Sequence, residues 1–222
     1  MAILLIRHGE TLGNRNRIIQ VAETPLSDRG LEQAGRLGKR LSSAPIKEIW
    51  TSHLSRARMT ADAVERTTGA SLREVPDLEE RNLGALRGTA YADLDFNPFM
   101  PGYAPPEGET WEVFHDRVDR TWEEIERHWV DQFSKASPDE HFAVVSHGLF
   151  LRVLIERILL SPEQLEAHGN ENGEIVIANT ALTVVAPGAP GAGASEHRVE
   201  LIACTAHLDG DTAHDANSIV GI

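Results

Sequence analysis

The stretch AILLI, residues 2–6, runs directly into RHGET, residues 7–11. Five consecutive apolar residues before a charged turn predict a strand that is covered on both faces, as the strands of a parallel sheet are. Ligands of such sheets bind at the carboxyl ends of the strands. Arg7 and His8 come at that end, so we expect them at a ligand site.

The same arrangement returns around residue 147. Residues 142–145 (FAVV) predict another buried strand, which leads through a Ser-His-Gly turn into a helix. Each of the two histidines, His8 and His147, is followed by a glycine, Gly9 and Gly148. Glycine lets backbone amides approach a ligand closely, and the start of a helix adds N–H donors and positive potential. Together these features favour a phosphate.

Arginines supply the positive charge for such a site. Arg7 offers a fixed cation that can bind a phosphate through two N–H groups. Arg56 follows the strand predicted for residues 46–50, so a neighbouring helix can bring it to the same strand ends. We expect two arginines and two histidines around one small anion.

Alternating strand and helix patterns predict an α/β fold. Between residues 1 and 160 we expect four strands and four helices: strands at 2–6, 46–50, 72–75 and 142–145, and helices at 28–41, 54–67, 110–133 and 149–159. Further on we expect a pair of strands, one more strand and a flexible linker: strands 174–178 and 182–186, strand 199–203, and linker 187–194. The tail from residue 209 carries no clear fold signal.

The segment from residue 77 to residue 106 loses periodicity and collects Gly, Pro and aromatic residues. This composition predicts an ordered loop over a site. We therefore predict a single domain over residues 1–222, with a cap or lid region inserted at about 77–136.

The net charge of −13 argues against a nucleic-acid or membrane partner, since both are bound largely through positive charge. Residues 1–60 nevertheless carry ten Lys and Arg against five Asp and Glu, while the remainder carries 11 against 29. This imbalance predicts a local anion pocket that captures its ligand by contact. The single cysteine, Cys204, excludes an internal disulfide and favours a reducing compartment, so we expect a cytoplasmic protein.

The chain resembles the histidine phosphatase superfamily, the group that includes cofactor-dependent phosphoglycerate mutases and related phosphatases. Six ordered blocks carry the resemblance: 5–11 (LIRHGET) with Asn14, 24–27 (TPLS) with Gly30 and 33–34 (QA), 52–57 (SHLSRA) with 60–61 (TA), 78–81 (LEER) with Gly84 and Gly88, 107–110 (EGET), and 144–148 (VVSHG). The fold expected for such a chain is a three-layer α/β/α sandwich with a largely parallel central sheet and a small cap insertion.

The resemblance implies that His8 attacks phosphorus and becomes a phosphohistidine, which water then hydrolyses. Arg7, Arg56 and His147 would stabilise the charge on the transferring oxygens, so that neither a metal nor a cofactor is required. The resemblance assigns proton donation to Glu80, and Glu79 is the alternative donor.

Four residues are expected to bind the substrate. Asn14 and Gln20 match positions from which the family touches the substrate phosphate or the group beyond it. Val21 stands where many relatives have glycine, and Gly148 follows the second histidine. The expected ligand is a small phosphorylated metabolite. The oligomeric state stays open, with a homodimer as the assembly considered.

Three functions are compatible with these residues: a phosphomonoesterase, a phosphoglycerate mutase, and a phosphate-binding regulatory protein without turnover. A binding protein would not need both His8 and Glu80. Resembling mutases carry a lysine where this chain has Tyr91, and residues 89–115 contain neither Lys nor Arg. Five carboxylates of the cap are expected to repel a second acidic group: Asp93, Asp95, Glu107, Glu109 and Glu112. We therefore predict hydrolysis.

Overall fold

The computed structural model describes residues 2–133, 140–188 and 196–209. Within these residues the strands β1–β6 are Ile3–Arg7, Ile46–Thr51, Ser71–Glu74, His141–Ser146, Leu182–Ala186 and Arg198–Cys204. The α-helices α1–α6 are Leu12–Asn16, Asp28–Leu41, Ser55–Thr68, Trp111–Phe133, Gly148–Leu154 and Pro162–His168. A π-helical turn, Ile155–Leu159, continues α5.

The six strands form one sheet in the order β3-β2-β4-β1-β5-β6. Strands β3, β2, β4 and β1 run parallel, and β5 is antiparallel to both β1 and β6. The predicted largely parallel sheet is confirmed. Because Arg7 at the end of β1 is in register with Ser146 at the end of β4, the next residues, His8 and His147, leave the sheet side by side.

Strand β1 is buried on both faces, as its unbroken apolar run predicts. Ile3 and Leu5 belong to one hydrophobic cluster, which α4 and α5 cover, whereas Leu4 and Ile6 belong to a second cluster, which α2 and α3 cover. Each such side chain contributes about 1.5–3 kcal/mol through its burial. The helices thus enclose the sheet from both sides, which confirms the predicted three-layer arrangement.

The pairing predicted between residues 174–178 and 182–186 is wrong. Residues 174–178 form no strand, and β5 pairs with β1 and β6 instead. Ile175 and Ile177 are nevertheless buried. Their backbone groups bond to side chains, since the Ile175 amide donates to Glu156 at 2.7 Å and the Ile177 carbonyl accepts from Arg7.

Three short 3₁₀ helices, Pro76–Leu78, Gly84–Leu86 and Tyr91–Asp93, shape the chain between β3 and α4. Helix α4 then packs its apolar side, including Phe114 and Val118, into the first cluster. The predicted linker lies outside the described residues from position 189 onward, as does the tail from position 210. Within the described part of the chain, no helix is both long and apolar enough to cross a membrane.

Candidate active site

The loop after β1 holds Arg7 and His8 in buried positions. The His8 amide donates to the Ser146 carbonyl at 3.0 Å, which continues the pairing of β1 with β4 beyond the strands. The His8 carbonyl accepts from the Thr180 amide at 3.2 Å and from Nδ2 of Asn179 at 3.0 Å. These three bonds fix the backbone of His8, so the position of its ring is set by the sheet.

The imidazole of His8 is oriented by its neighbour. Its Nδ1 lies 2.7 Å from the Gly9 carbonyl, which can only accept a hydrogen bond, so Nδ1 carries the proton. The lone pair is therefore on Nε2. Burial, followed by the charges of Arg56 and Arg7, lowers the pKa of His8 well below 6.5, which keeps the ring neutral.

His147 lies next to His8, with 5.1 Å between the two ring centroids. Its Nε2 is 2.9 Å from Oγ of Ser52, and that hydroxyl accepts from the Leu54 amide. Nδ1 is buried and has no hydrogen-bond partner among the described residues. Burial and, to a smaller extent, the charge of Arg56 lower the pKa of His147 well below 6.5.

Arg7 and Arg56 are both buried, and each is anchored at one end only. Nη1 of Arg7 donates to the Ile177 carbonyl, and Nη1 of Arg56 donates to the Val21 carbonyl at 3.2 Å. The Nε atoms of both are buried without a hydrogen-bond partner in the described part of the chain. Burial lowers the pKa of Arg56 to about 10, so it stays charged at neutral pH.

The carboxylate of Glu80 lies against the start of α5. Its Oε2 accepts from the Leu149 amide at 3.0 Å, and its Oε1 accepts from the amides of Phe150 and Arg81 at 3.1 and 3.0 Å. Helix amides without an intrahelical partner commonly bind carboxylates in this way. Glu79 points elsewhere, with its carboxylate 3.9 Å from His53.

A cavity of about 70 Å³, partly open to solvent, brings most of the predicted residues together. Its polar lining consists of Arg7, His8, Asn14, Gln20, Arg56, Glu80, Arg81, Arg87 and Tyr91. The remaining wall is largely apolar: Ile18, Ile19, Ala22, Leu54, Leu83, Phe99 and Leu149. This combination suits a phosphate with an organic group attached.

Three predicted residues do not line the cavity. His147 is fully buried beside His8, and Gly148 is buried as the first residue of α5. The side chain of Val21 is 41% exposed, and it is the backbone carbonyl that supports the site, by anchoring Arg56. Asn14 and Gln20 do line the cavity, and their side-chain oxygens lie 3.0 and 2.8 Å from Oγ1 of Thr11, whose single proton is donated to one of them at a time.

Sequence reasoning assigned no site role to Arg87, Tyr91 or Arg81, which also line the cavity. Burial raises the pKa of Tyr91 to about 12, so its hydroxyl stays protonated. The sequence held one signal for a site role of Arg87: it is the last basic residue before residues 89–115, which contain neither Lys nor Arg. None of the five cap carboxylates lines the cavity, although Glu109 and Glu112 act electrostatically on Arg81, which does.

The chain belongs to the histidine phosphatase superfamily (branch 1), whose family model matches residues 3–185. The predicted family is confirmed. The prediction of a phosphatase of the phosphoglycerate mutase-like group is confirmed with it.

Two curated relatives illustrate the range of the family. A metal-independent phosphoserine phosphatase of Arabidopsis thaliana is 32% identical over 70% of this chain and 68% of its own length. A probable phosphoglycerate mutase, GpmB of Erwinia tasmaniensis, is 29% identical over 75% of this chain and 78% of its own. The solved structure of Bacillus stearothermophilus YhfR has a TM-score of 0.73 at 24% identity, covering 94% of this chain and 99% of that one, which shows the shared fold.

Proposed function

We propose that this protein hydrolyses small phosphomonoesters without a metal ion, through a phosphohistidine on His8. The orientation of the His8 ring carries the proposal. With Nδ1 donating to Gly9, the lone pair of Nε2 is available for phosphorus, and the lowered pKa keeps it unprotonated at neutral pH. A neutral, fixed imidazole is the form required of a nucleophile.

The first step forms a bond between Nε2 of His8 and phosphorus while the ester P–O bond breaks. Negative charge on the transferring oxygens is stabilised by Arg7 and Arg56, whose unpartnered Nε–H groups need acceptors. We assign His147, whose ring lies 5.1 Å from that of His8, to the same stabilising group. In the second step water attacks phosphorus, the N–P bond breaks and inorganic phosphate leaves. Two arginines supply the positive charge for both steps, and the name of the Arabidopsis relative supports metal independence.

Glu80 is the proposed proton donor to the leaving alkoxide and the base that then accepts a proton from water. Two observations support this role. The carboxylate lies in the cavity wall with both arginines, and hydrogen bonds from three backbone amides fix its position. Glu79 lacks this placement. Asn14 and Gln20 would contact the bound ester, with Val21 and Gly148 contributing through the backbone.

The covalent step is tested with His8→Ala, and His168→Ala, an exposed histidine on α6, is the matched control. We expect His8→Ala to abolish phosphate release from p-nitrophenyl phosphate in the presence of a chelator. Quenched wild-type protein should carry an acid-labile phosphoryl group that His8→Ala lacks. Unchanged hydrolysis by His8→Ala would refute the mechanism.

The proton donor is tested by comparing Glu80→Gln with Glu79→Gln. We expect Glu80→Gln to lower kcat on alkyl phosphates by roughly 10²-fold or more, the range of general acid catalysis. The loss should be smaller on p-nitrophenyl phosphate, whose leaving group needs little protonation. If Glu79→Gln shows the leaving-group dependence instead, the assignment to Glu80 is wrong.

The name of the Erwinia relative favours a second candidate, a phosphoglycerate mutase. The lack of Lys and Arg in residues 89–115 argues against it, because a mutase must retain a bisphosphorylated intermediate. Efficient interconversion of 2- and 3-phosphoglycerate would establish the mutase.

We further propose that residues 77–136 act as the cap of a single domain, and that the protein works in the cytoplasm.

A further inference from the structure

Four guanidinium groups line the cavity, those of Arg7, Arg56, Arg81 and Arg87, against the single carboxylate of Glu80. A phosphomonoester dianion brings two negative charges, which balance the pair of arginines beside His8. The cavity then keeps an excess of positive charge, to which Arg87 contributes from a position close enough to Arg56 to lower the pKa of that group. We propose that Arg87 selects phosphomonoesters that carry a second anionic group, a carboxylate or another phosphate. The proposal rests on the hydrolase function above.

None of the four arginines of the cavity forms an ion pair within the described residues, but Arg87 differs from the others in donating no side-chain hydrogen bond there. Arg7 and Arg56 each donate to a backbone carbonyl. Arg81 donates to the carbonyls of Glu109 and Tyr103 and stacks 4.0 Å from the centre of the Trp111 ring. An arginine that lines a cavity without an acidic partner is available to a ligand carboxylate or phosphate, which it binds with two N–H groups.

The backbone around Arg87 is held against the wall of the cavity. The Gly88 amide donates to the Ile19 carbonyl at 2.7 Å, and the Ile19 amide donates to the Thr89 carbonyl at 2.9 Å. These bonds join the segment after Arg87 to a residue that itself lines the cavity. The backbone beside Arg87 is therefore already fixed, so that ligand binding need not order this segment of the chain.

None of the five acidic residues of the cap lines the cavity. Glu109 is paired with Arg117 at 2.7 Å, and the carboxylates of Asp93, Asp95, Glu107 and Glu112 belong to exposed residues. A second anion in the cavity would therefore meet Arg87 without a nearby cap carboxylate in the wall.

The test uses pairs of esters that differ only in the second anion. O-Phosphoserine is compared with O-phosphoethanolamine, and ethylene glycol bisphosphate with its monophosphate, so that the two arms separate carboxylate from phosphate. The readout is the ratio of kcat/KM within each pair. In at least one pair, we expect the wild-type kcat/KM to be about tenfold higher for the ester that carries the second anion, mainly because its KM is lower.

Arg87→Gln should reduce that ratio about tenfold, Arg87→Glu should bring it below one, and Arg87→Lys should restore most of it. Arg120→Gln removes the same charge from an exposed position of α4 and should leave the ratio unchanged. A wild-type ratio at or below one in both pairs, or an equal effect of Arg87→Gln and Arg120→Gln, would overturn the inference. Hydrolysis that depends on His8 in those same assays would leave the proposed function intact, whereas hydrolysis by His8→Ala would refute that function.

Discussion

Replacing Gly30 with alanine is expected to displace the loop that carries His8. Gly30 lies in the first turn of α2, where its amide donates to the N-cap hydroxyl of Ser27 at 3.1 Å. A Cβ at this position would lie 2.0 Å from the carbonyl oxygen of Glu10 and 3.0 Å from its nitrogen. The start of the helix thus packs directly on the backbone two residues beyond His8.

The size of the effect follows from these distances. Ordinary contacts of a Cβ begin at 3.4 Å, so the helix and the loop must separate by roughly 1.4 Å. A misplacement of about 1 Å at a reacting group costs on the order of 10²-fold in rate. Overpacking of this kind also destabilises a protein by about 1–3 kcal/mol. We expect Gly30→Ala to lose about 10²-fold in kcat/KM and to unfold at lower urea concentration.

Gly35 is the matched control, because it lies in the same helix and its Cβ would meet nothing within 4 Å. Gly35→Ala should keep wild-type activity and gain about 0.5–1 kcal/mol in the free energy of unfolding, the difference in helix propensity. Hydrolysis of p-nitrophenyl phosphate and urea denaturation measure both quantities. Wild-type kcat/KM and stability in Gly30→Ala would refute the packing explanation for the position of His8.

Three further outcomes test the site. Ser52→Ala removes the hydroxyl that contacts Nε2 of His147, and loss of this orienting partner should lower kcat about tenfold. An unchanged kcat in steady-state kinetics would contradict an orienting role of Ser52. An NMR titration should place the midpoints of the imidazoles of His8 and His147 well below 6.5, since burial and arginine charges lower both pKa values; a midpoint near 6.5 for either would be inconsistent. Burial and the charge of Arg40 lower the pKa of His207 to about 4. The unfolded chain therefore binds this proton more readily than the folded one, and the free energy of unfolding should rise with pH from about 4 to 6.5. Urea denaturation of His207→Gln should show a flatter rise, and an unaltered slope would exclude His207 as its source.

The positions of His8 and His147 could be predicted because each follows a short apolar run that is recognisable by itself. Parallel strands end at the same edge of a sheet, so two such runs suffice to bring the histidines together. Arg87 could not be placed in this way. It lies in a segment without periodicity and reaches the cavity through backbone bonds to Ile19, nearly 70 positions away in the sequence. Local patterns carry no information about such a contact.

Residues 174–178 show that a local pattern can also mislead. Their apolar residues are typical of a strand, yet such a pattern reports only which side chains are buried, as Ile175 and Ile177 are. Whether a segment joins a sheet depends on where its backbone groups bond, and here Arg7 takes the Ile177 carbonyl. A bond from a side chain so far away in the sequence leaves no local pattern that could have predicted it.

The cost of burying Arg7 and Arg56 connects the fold to its function. Burial lowers the pKa of both groups, which means that their charged forms are destabilised relative to water. The carbonyls of Ile177 and Val21 and the charge of Glu80 offset only part of this cost, because both Nε atoms keep no partner within the described residues. An anion that reaches them recovers this free energy on binding. The net charge of −13 acts at longer range and is screened within about 8 Å at physiological salt, so it disfavours approach without weakening these contacts. Affinity for phosphate is therefore set inside the cavity, by groups that the fold holds in an unfavourable state until the ligand arrives.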